Sequence, residues 1–333
     1  MHLISAFLFW GHLGCTPQDE TDTATLEPVA CQTLPEGDVS LPLDERPHNE
    51  DVEWWYWTGH LQDEDGRWYG FEQVFFSFRY AGMDAMMAHH AVTDVEAQHF
   101  DYVAFYGVDE KPAVLDQGFE FQMGSLTAEG ANGVDVLHGE LERTTLDLKL
   151  TSTKAPVLQH QTGYTEYPFG GYTYYYTRPR MSAEGTLVVD GESRAVTGSA
   201  WFDHQWGALI EATNVGWDWF ALQLDDGREI MVFLLRPEDG LLVAGATVTD
   251  ADCNSNEIHD VTVTPLGEWT SPATECTYPM GWDLQVGDEV FTLSPVMEDQ
   301  EIGESYKTYW EGAATVDGAA TGRAYVELTE YCD

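Results

Sequence analysis

Five Asp-Gly pairs occur in this chain of 333 residues, and four of them lie between runs of alternating apolar and polar residues. Glycine adopts the positive φ that a tight turn requires, so Asp-Gly between such runs is typical of a β-hairpin. The runs are rich in Val, Thr, Tyr, Phe and Trp, and helical spacing is nearly absent. The sequence therefore predicts an all-β protein with few helices. The four pairs are Asp65-Gly66, Asp190-Gly191, Asp226-Gly227 and Asp317-Gly318.

The hairpins also form an internal repeat. A Trp-x-Trp segment precedes an Asp-Gly-Arg turn at 55–67, and the same arrangement returns at 217–228, about 160 residues later. A second repeated pair, 189–201 and 316–325, joins a Val-Asp-Gly turn to Gly-x-Ala and an aromatic residue. Two such units favour a pair of barrels or sandwiches over one large sheet. A barrel of about eight strands is wide enough to hold one small apolar ligand.

The charge of the chain excludes one broad class of partner. Lys and Arg number 14 against 58 Asp and Glu, which gives a formal net charge of −44. Nucleic-acid binding through phosphate neutralisation requires a basic surface, so we expect no nucleic-acid partner. An anionic membrane surface would also repel the chain.

The N-terminus predicts an exported protein. The apolar run Leu3–Trp10 is followed by Gly-His-Leu-Gly-Cys, which resembles a bacterial lipoprotein signal ending at a lipid-modified Cys15. Residues 1–15 are then the signal peptide, and 16–40 form a flexible acidic tether. We expect a lipoprotein of the bacterial cell envelope that faces the periplasm or the exterior and contacts the membrane only through its anchor.

The remaining cysteines predict disulfides. If Cys15 carries lipid, four cysteines remain, and an oxidising compartment would pair them in one of three ways. We favour Cys253–Cys276, which closes a local loop, and Cys31–Cys332, which ties the two ends of the chain together. The alternative is that all four are free buried thiols.

The densest aromatic stretch is 53–57, Glu-Trp-Trp-Tyr-Trp. Alternation puts Trp55 and Trp57 on one face and Trp54 and Tyr56 on the other. Two explanations remain open for this stretch. The first is core packing combined with an interface between domains, and the second is the wall of a ligand pocket, because aromatic faces bury area and stabilise positive charge.

The segment 201–207, Trp-Phe-Asp-His-Gln-Trp-Gly, is more specific. In an extended chain Phe202, His204 and Trp206 share one face, and Asp203 lies on the other. Histidine can donate or accept a proton near neutral pH, and a tryptophan beside it can stabilise a developing cation. A hydrogen-bonded structural histidine is the alternative. Of the pair at 89–90, we expect His90 to point inward.

Several motifs are absent from the sequence. There is no Cys-x-x-Cys, His-Glu-x-x-His or three-histidine cluster, so we expect no metal site. The sequence also contains no Gly-x-Gly-x-x-Gly, P-loop or Gly-x-Ser-x-Gly pattern, which argues against nucleotide binding and against a serine hydrolase. We therefore expect a protein that works without a cofactor.

Five blocks, in order, resemble those of the AttH-like family, which is related to carotenoid 1,2-hydratase and kievitone hydratase. They are EWWYWTGHLQDEDGRWYGFE, MAHHAVTD, WFDHQWG, GWDWFALQLDDGRE and YWEGAATVDGAATGRAYVELTEY, spread over about 42–331. The resemblance implies two tandem lipocalin-like antiparallel β-barrel domains, at 41–207 and 208–333, that bind a hydrophobic small molecule. For the hydratase branch it implies addition of water to an isolated carbon–carbon double bond of an isoprenoid-type or lipid-like substrate.

The resemblance also implies roles for particular residues. The Asp-His-x-Trp block implies that His204 is the acid, Trp206 an electron-rich wall and Asp203 a supporting carboxylate. The remaining candidates, all for ligand binding, are Trp55, Trp57, His90, Trp217 and Asp218.

Two other functions remain open at this point. The first is a non-catalytic, lipocalin-like carrier of a lipid or terpenoid. The second is a hydrolase or a carbohydrate-binding protein, which the aromatic residues and carboxylates would suit. The oligomeric state is left open.

Overall fold

The structure is a computed structural model that describes residues 34–208, 215–237, 242–303 and 308–332. The signal peptide, most of the tether, Cys15 and Cys31 lie outside the described residues, so the expectations for them stay predictions. Among the described residues, no helix combines the length and apolar character needed to cross a membrane.

Barrel 1 is a nearly closed antiparallel sheet whose central strands run in the order β4-β3-β2-β1-β12-β11-β8-β7-β6-β5. The two edge strands β4 and β5 lie against each other, and β9 and β10 pair with β11. Its strands are β1 (Val52–Asp63), β2 (Trp68–Tyr80), β3 (Met83–Asp94), β4 (His99–Val108), β5 (Phe119–Met123), β6 (Leu126–Ala131), β7 (Val134–Glu140), β8 (Thr144–Ser152), β9 (Val157–Leu158), β10 (Tyr164–Glu166), β11 (Tyr172–Val189) and β12 (Glu192–Ala208).

Barrel 2 is a second antiparallel sheet with the order β16-β15-β14-β13-β24-β23-β21-β20-β17. Here β15 and β17 lie against each other, β22 pairs with β23, and β18 and β19 form a separate hairpin. Its strands are β13 (Gly216–Leu224), β14 (Glu229–Arg236), β15 (Val243–Thr249), β16 (Ser255–Ile258), β17 (Val261–Pro265), β18 (Glu268–Thr270), β19 (Thr277–Pro279), β20 (Trp282–Val286), β21 (Glu289–Pro295), β22 (Glu301–Ile302), β23 (Tyr309–Gly318) and β24 (Gly322–Leu328).

The prediction of an all-β chain with two barrels is confirmed. Across the described ranges, helical structure is limited to one 3-10 turn at Leu43–Glu45. In both barrels the first strand pairs with the last, β1 with β12 and β13 with β24. The glycines of these four Asp-Gly pairs have positive φ, from +84° to +105°, as the hairpin turns require.

The two tryptophan pairs of the repeat point in opposite directions. Trp55 and Trp57 are fully buried inside barrel 1. In barrel 2 the inner positions of β13 are Asp218 and Phe220, whereas Trp219 points outward and Trp217 is 37% exposed. Side chains alternate along a strand, so a shift of one residue moves a pair of tryptophans to the other face.

The outward face of each barrel packs on the other and forms the inter-barrel interface. Trp219 of barrel 2 contacts the edge of Tyr56, at 5.3 Å between ring centroids, and Trp201, at 6.0 Å. The apolar residues buried there are Tyr56, Val74, Tyr175, Trp201, Trp219, Ala221, Met231, Ala313 and Tyr325. The stretch 53–57 thus contributes both to a barrel interior and to an interface, as its alternation predicts.

The inter-barrel interface also buries carboxyl groups. The Tyr56 hydroxyl donates to Glu311 at 2.5 Å, and neither carboxyl oxygen of Glu72 has a hydrogen-bond partner. Burial, together with the charge of nearby Glu327, raises the pKa of both Glu72 and Glu311 well above the usual range. Burial therefore disfavours the ionised form of both carboxyls in the folded protein.

A disulfide joins Cys276 and Cys332, with 5.0 Å between their Cα atoms. The favoured pairings Cys253–Cys276 and Cys31–Cys332 are therefore wrong. After β24 the chain returns to the β18–β19 hairpin, where Tyr331 packs on Tyr278, and this brings Cys332 beside Cys276. Cys253 is also disulfide-bonded.

Candidate functional site

His204 lies at the centre of an aromatic row inside barrel 1. It stands opposite Trp55 of β1 on one side and Tyr176 of β11 on the other. Its ring stacks on Trp55 and lies close to Trp206, both at 4.6 Å between centroids, while the edge of Tyr176 approaches to 5.4 Å. The imidazole is fully buried. Pairing of β1, β11 and β12 thus encloses a titratable ring in an aromatic cage.

Glu53 is the carboxylate that contacts this ring. Its Oε1 is 2.8 Å from Nε2 of His204 and 2.7 Å from Nδ1 of His48, so one oxygen bridges two imidazoles. Its Oε2 accepts the backbone N–H of His48 at 2.8 Å. Glu53 occupies the inner face of β1 because it has the same parity as Trp55 and Trp57.

His48 comes from a segment that packs across this end of barrel 1. We call residues 38–51, which precede β1, the strap. The His48 ring stacks on Trp206, with 4.0 Å between centroids and 7° between planes. Deeper in the barrel, Glu45 pairs with buried Arg178 and accepts the backbone N–H of Asn132 at 2.7 Å. These contacts attach the strap to barrel 1.

His48, Glu53 and His204 differ in pKa and therefore in charge. Burial would lower the pKa of His48, but hydrogen bonds to Asp44 and Glu53 outweigh it and raise the pKa above its usual value. Burial would raise the pKa of Glu53, but its bonds to the two imidazoles hold it below its usual range. Burial lowers the pKa of His204 to about 4 despite its bond to Glu53. At neutral pH the site therefore holds an ionised Glu53 beside a neutral His204, with His48 as the readily protonated member.

Four polar atoms inside barrel 1 are buried without a hydrogen-bond partner: Nδ1 of His204, Nε1 of Trp55, Oε1 of Gln73 and Nε2 of His90. Gln73 and His90 stand directly opposite each other on β2 and β3. His90 fits because position 139 is glycine, where a Cβ would lie 2.3 Å from the imidazole Cδ2. Unpartnered buried polar atoms cost free energy unless a ligand or water satisfies them.

The comparisons with known proteins bear on the family and the fold of the chain. The AttH-like profile matches residues 32–331, nearly the whole chain. The chain belongs to the AttH-like family. Among curated protein sequences, none gives a significant match.

Three solved structures resemble the AttH-like chain. A Nitrosomonas europaea protein assigned as an AttH is 29% identical over 92% of this chain and 100% of its own, with a TM-score of 0.80. Kievitone hydratase from Nectria haematococca is 19% identical over 92% of this chain and 98% of its own, with a TM-score of 0.73. CghA, solved with Sch210972, is 12% identical over 92% of this chain and 97% of its own, with a TM-score of 0.57. The last two show a shared fold.

Within the AttH-like chain, the sequence candidates divide into two groups. His204, Trp206, Trp55, Trp57 and His90 all lie inside barrel 1, with His204, Trp206 and Trp55 in mutual ring contact. Trp57 donates its indole N–H to Asp135 at 2.9 Å, and burial raises the pKa of that carboxyl to about 6.

The other three candidates lie elsewhere. Asp203 is on the outer face of β12, where it accepts hydrogen bonds from Tyr175, Thr177 and Trp201, so it does not support His204. Trp217 and Asp218 belong to barrel 2.

The sequence analysis missed Glu53, His48 and Gln73. The parity of Glu53 with Trp55 and Trp57 was a usable signal, because all three positions share one face of β1. Gln73 could have been placed inward by the same argument on β2. His48 lies in the irregular strap, where no periodicity indicates which way a side chain points.

The same groups could also bind a metal ion. One ligand atom each from His48, Glu53 and His204 lie within 4.8 Å of one another. Two histidines and a glutamate are a known ligand set for zinc. The other such cluster among the described residues, Cys276, Glu301 and Cys332, is unsuitable because its cysteines form the disulfide. The expectation of a site that works without metal stays a prediction.

Proposed function

We propose that this AttH-like chain is a hydratase that adds water to a carbon–carbon double bond of an apolar, isoprenoid-type or lipid-like molecule inside barrel 1. The observation that carries the proposal is the Glu53 carboxylate bridging His48 and His204, with Nδ1 of His204 left unpartnered inside the aromatic cage. Alkene hydration needs an acid, a stabiliser for the resulting cation and a held water.

The acid is supplied by a relay of three groups. His48 is the protonated member and, at 17% side-chain exposure, can exchange protons with solvent. At rest the ionised Glu53 accepts the Nε2–H of neutral His204, so Nδ1 of His204 carries no proton. In the reactive state the Nδ1 proton of His48 has moved to Glu53 and the ring proton of His204 lies on Nδ1. Nδ1 then gives its proton to the alkene while the Glu53 O–H protonates Nε2, which leaves His48 neutral and returns Glu53 and His204 to their resting forms. His204 therefore acts as a relay rather than as a permanently charged acid, which is consistent with its lowered pKa.

The cation is stabilised by the aromatic cage. Protonation of a substituted alkene leaves a tertiary carbocation, and the faces of Trp55, Trp206 and Tyr176 are electron-rich. Aromatic and aliphatic side chains make up most of the core around the cage, which limits the access of other nucleophiles to the cation, although buried Glu45, Arg178 and Asp135 also lie in barrel 1.

The attacking water is held by Gln73 and His90. Their unpartnered Oε1 and Nε2 atoms face each other across β2 and β3 inside barrel 1. The water oxygen forms the new carbon–oxygen bond and its surplus proton passes to Nε2 of His90. The products are a tertiary alcohol, a deprotonated His48 and a protonated His90. His48 regains a proton from solvent, and burial lowers the pKa of His90 to about 4, which favours loss of its proton when the alcohol leaves.

The family supports this reaction class, since kievitone hydratase shares the fold at a TM-score of 0.73. The alternative is a non-catalytic carrier that binds the same class of molecule and releases it unchanged. Both functions use the interior of barrel 1, so a measurement of turnover is needed to separate them.

The test is incubation of the full chain with a pool of unsaturated isoprenoids and lipids in oxygen-18-labelled water, followed by mass spectrometry. We expect a labelled adduct whose formation falls at least about a hundredfold in His204→Gln and in Glu53→Gln, since removal of a positioned proton donor typically has that effect. His138→Gln is the matched control, because that histidine lies on the outside of barrel 1 and bonds only Asp147.

If the protein instead retains a molecule of the pool without incorporation of oxygen-18, the carrier function is established. Equal turnover in His204→Gln and the wild type would show that the acid lies elsewhere.

We also propose that the protein is a lipoprotein of the cell envelope, attached through Cys15. Metabolic labelling with a fatty-acid analogue should mark the wild type but not Cys15→Ser. Absence of label from the wild type would refute the anchor.

A further inference from the structure

Barrel 2 has a cleft of about 700 Å³ at the end where β13 begins and β14 ends. This is the same end at which the His204 site lies in barrel 1, beside the start of the first strand and the end of the last. The cleft is lined by Asp218, Leu234, Arg236, Val263, Pro265, Leu266, Gly267, Glu268, Thr277, Tyr278, Pro279, Trp282 and Tyr331. We propose that this cleft is a second binding site, for an uncharged lipid-like molecule that carries a hydrogen-bond acceptor such as a carbonyl oxygen.

The polar part of the cleft is a compact, neutral cluster. The Arg236 guanidinium lies 4.0 Å from the centroid of the Tyr331 ring and 3.2 Å from Oδ1 of Asp218. The Tyr331 hydroxyl donates to the Asp218 carboxylate at 3.0 Å, and Arg236 also donates to the backbone oxygen of Thr329. The positive and negative charges therefore cancel within the cluster.

Two donors at the cleft have no partner. Trp282 is fully buried and lines the cleft, yet its indole N–H has no acceptor. The Nε–H of Arg236 is likewise buried and unpartnered. A buried donor costs free energy unless it is satisfied, so these N–H groups point to a ligand with an acceptor oxygen.

Charge and lining together select the class of ligand. The cluster is neutral, so it offers no free counter-ion to a charged head group. The Glu268 carboxylate also lines the cleft, but it is exposed to solvent, so it repels an anionic head group and attracts a cationic one only weakly. The rest of the lining is largely apolar, with Leu234, Val263 and Leu266 among it. The volume lies within the range of small-molecule pockets in proteins.

The disulfide holds two sides of this cleft together. Cys332 follows Tyr331 directly, Cys276 lies just before Tyr278, and the two tyrosine rings are 5.6 Å apart. The lining is therefore held in place before any ligand binds, which lowers the entropy lost on binding.

The test measures binding of three probes of equal chain length to the full-length chain by calorimetry: 2-undecanone, undecanoate and undecylammonium. We expect the ketone to bind best and Trp282→Phe, which keeps the ring but removes the N–H, to weaken it about tenfold, the effect of one hydrogen bond. Trp201→Phe is the matched control, because Trp201 is also buried but lies at the inter-barrel interface, outside both the cleft and the aromatic cage of barrel 1.

A second pair of variants guards against misfolding of Trp282→Phe. Leu266 is 54% exposed at the cleft, and Leu43 is 48% exposed on the strap. Leu266→Arg should abolish ketone binding and Leu43→Arg should leave it unchanged. Preference for either charged probe would overturn the ligand class. Ketone binding that survives Leu266→Arg, or that is lost in Trp201→Phe instead, would overturn the site.

Because no residue of this cleft takes part in the hydration proposed for barrel 1, either proposal can fail without the other.

Discussion

Asp203 offers a sharp test of the electrostatics of the inter-barrel interface. The side chain is 3% exposed and accepts hydrogen bonds from Tyr175 at 2.7 Å, Thr177 at 2.6 Å and Trp201 at 2.9 Å. Burial raises the pKa of the carboxyl to about 7 even though all three donors favour the ionised form. Near neutral pH, Asp203 is therefore about half protonated.

This raised pKa makes the stability of the protein depend on pH. The pKa rises from an ordinary 3.8 to about 7 on folding. The protonated Asp203 carboxyl stabilises the folded state fully below about pH 4, and this stabilisation is lost as pH rises through about 7. The reason is that the unfolded chain releases the Asp203 proton at a lower pH than the folded protein does. About three units at about 1.4 kcal/mol each give a loss of about 4 kcal/mol in the free energy of unfolding.

Asp203→Asn removes this dependence while preserving the shape of the side chain. Urea denaturation followed by tryptophan fluorescence at a series of pH values gives the free energy of unfolding for each protein. We expect the wild type to lose about 4 kcal/mol relative to Asp203→Asn between about pH 4 and pH 8. Asp65→Asn, at a turn where the side chain is 81% exposed, controls for the loss of one charge.

The other buried carboxyls are shared by both proteins, so most of their contribution cancels in the comparison. Glu327 is the exception, because the charge of Asp203 helps to raise its pKa. Parallel pH profiles for the wild type and Asp203→Asn would refute the reasoning, because they would mean that the three donors outweigh burial and keep Asp203 ionised.

Three further predictions follow from contacts described above. Gly139→Ala should destabilise the protein by about 1–3 kcal/mol in urea denaturation, because its Cβ would overlap the His90 ring, and unchanged stability would contradict that packing. Cys276→Ser opens a bridge that spans 56 residues and should cost about 4 kcal/mol by loop entropy, seen as a lower Tm, whereas an equal Tm would exclude the bridge. Glu53→Gln should lower the pKa of His48, followed by NMR titration of its ring, and an unshifted titration would show that Glu53 does not stabilise the imidazolium.

The fold was predictable because its signals are local. Asp-Gly turns and period-two alternation lie within a few residues of sequence, and they are enough to define hairpins and a repeated pair of barrels. The same alternation correctly separates His204 from Asp203 on β12, so the role of Asp203 as a supporting carboxylate conflicts with the period of its own strand.

The internal repeat does not show which way its tryptophans point. The Trp-x-Trp segments of the two halves match as letters, but in barrel 2 the inner face begins with Asp218 rather than with a tryptophan. Similarity in sequence does not determine which face of a strand a side chain occupies, because a shift of one residue in the register moves every side chain to the opposite face of the sheet.

Other features depend on contacts between distant segments. The bridge from Glu53 to His204 joins residues 151 positions apart, and the strap that brings His48 to Trp206 is irregular. The disulfide depends on where the chain runs after β24. Neither spacing nor composition contains this information.

The strap has a consequence for the order of events at the His204 site. One segment both lies across the end of barrel 1 and supplies His48, the solvent-accessible member of the proton relay. Any movement of the strap that admits a molecule at this end also separates His48 from Glu53. In the proposed mechanism, a molecule that entered past the strap would therefore meet a site without its proton donor, and it would react only once His48 was again in contact with Glu53.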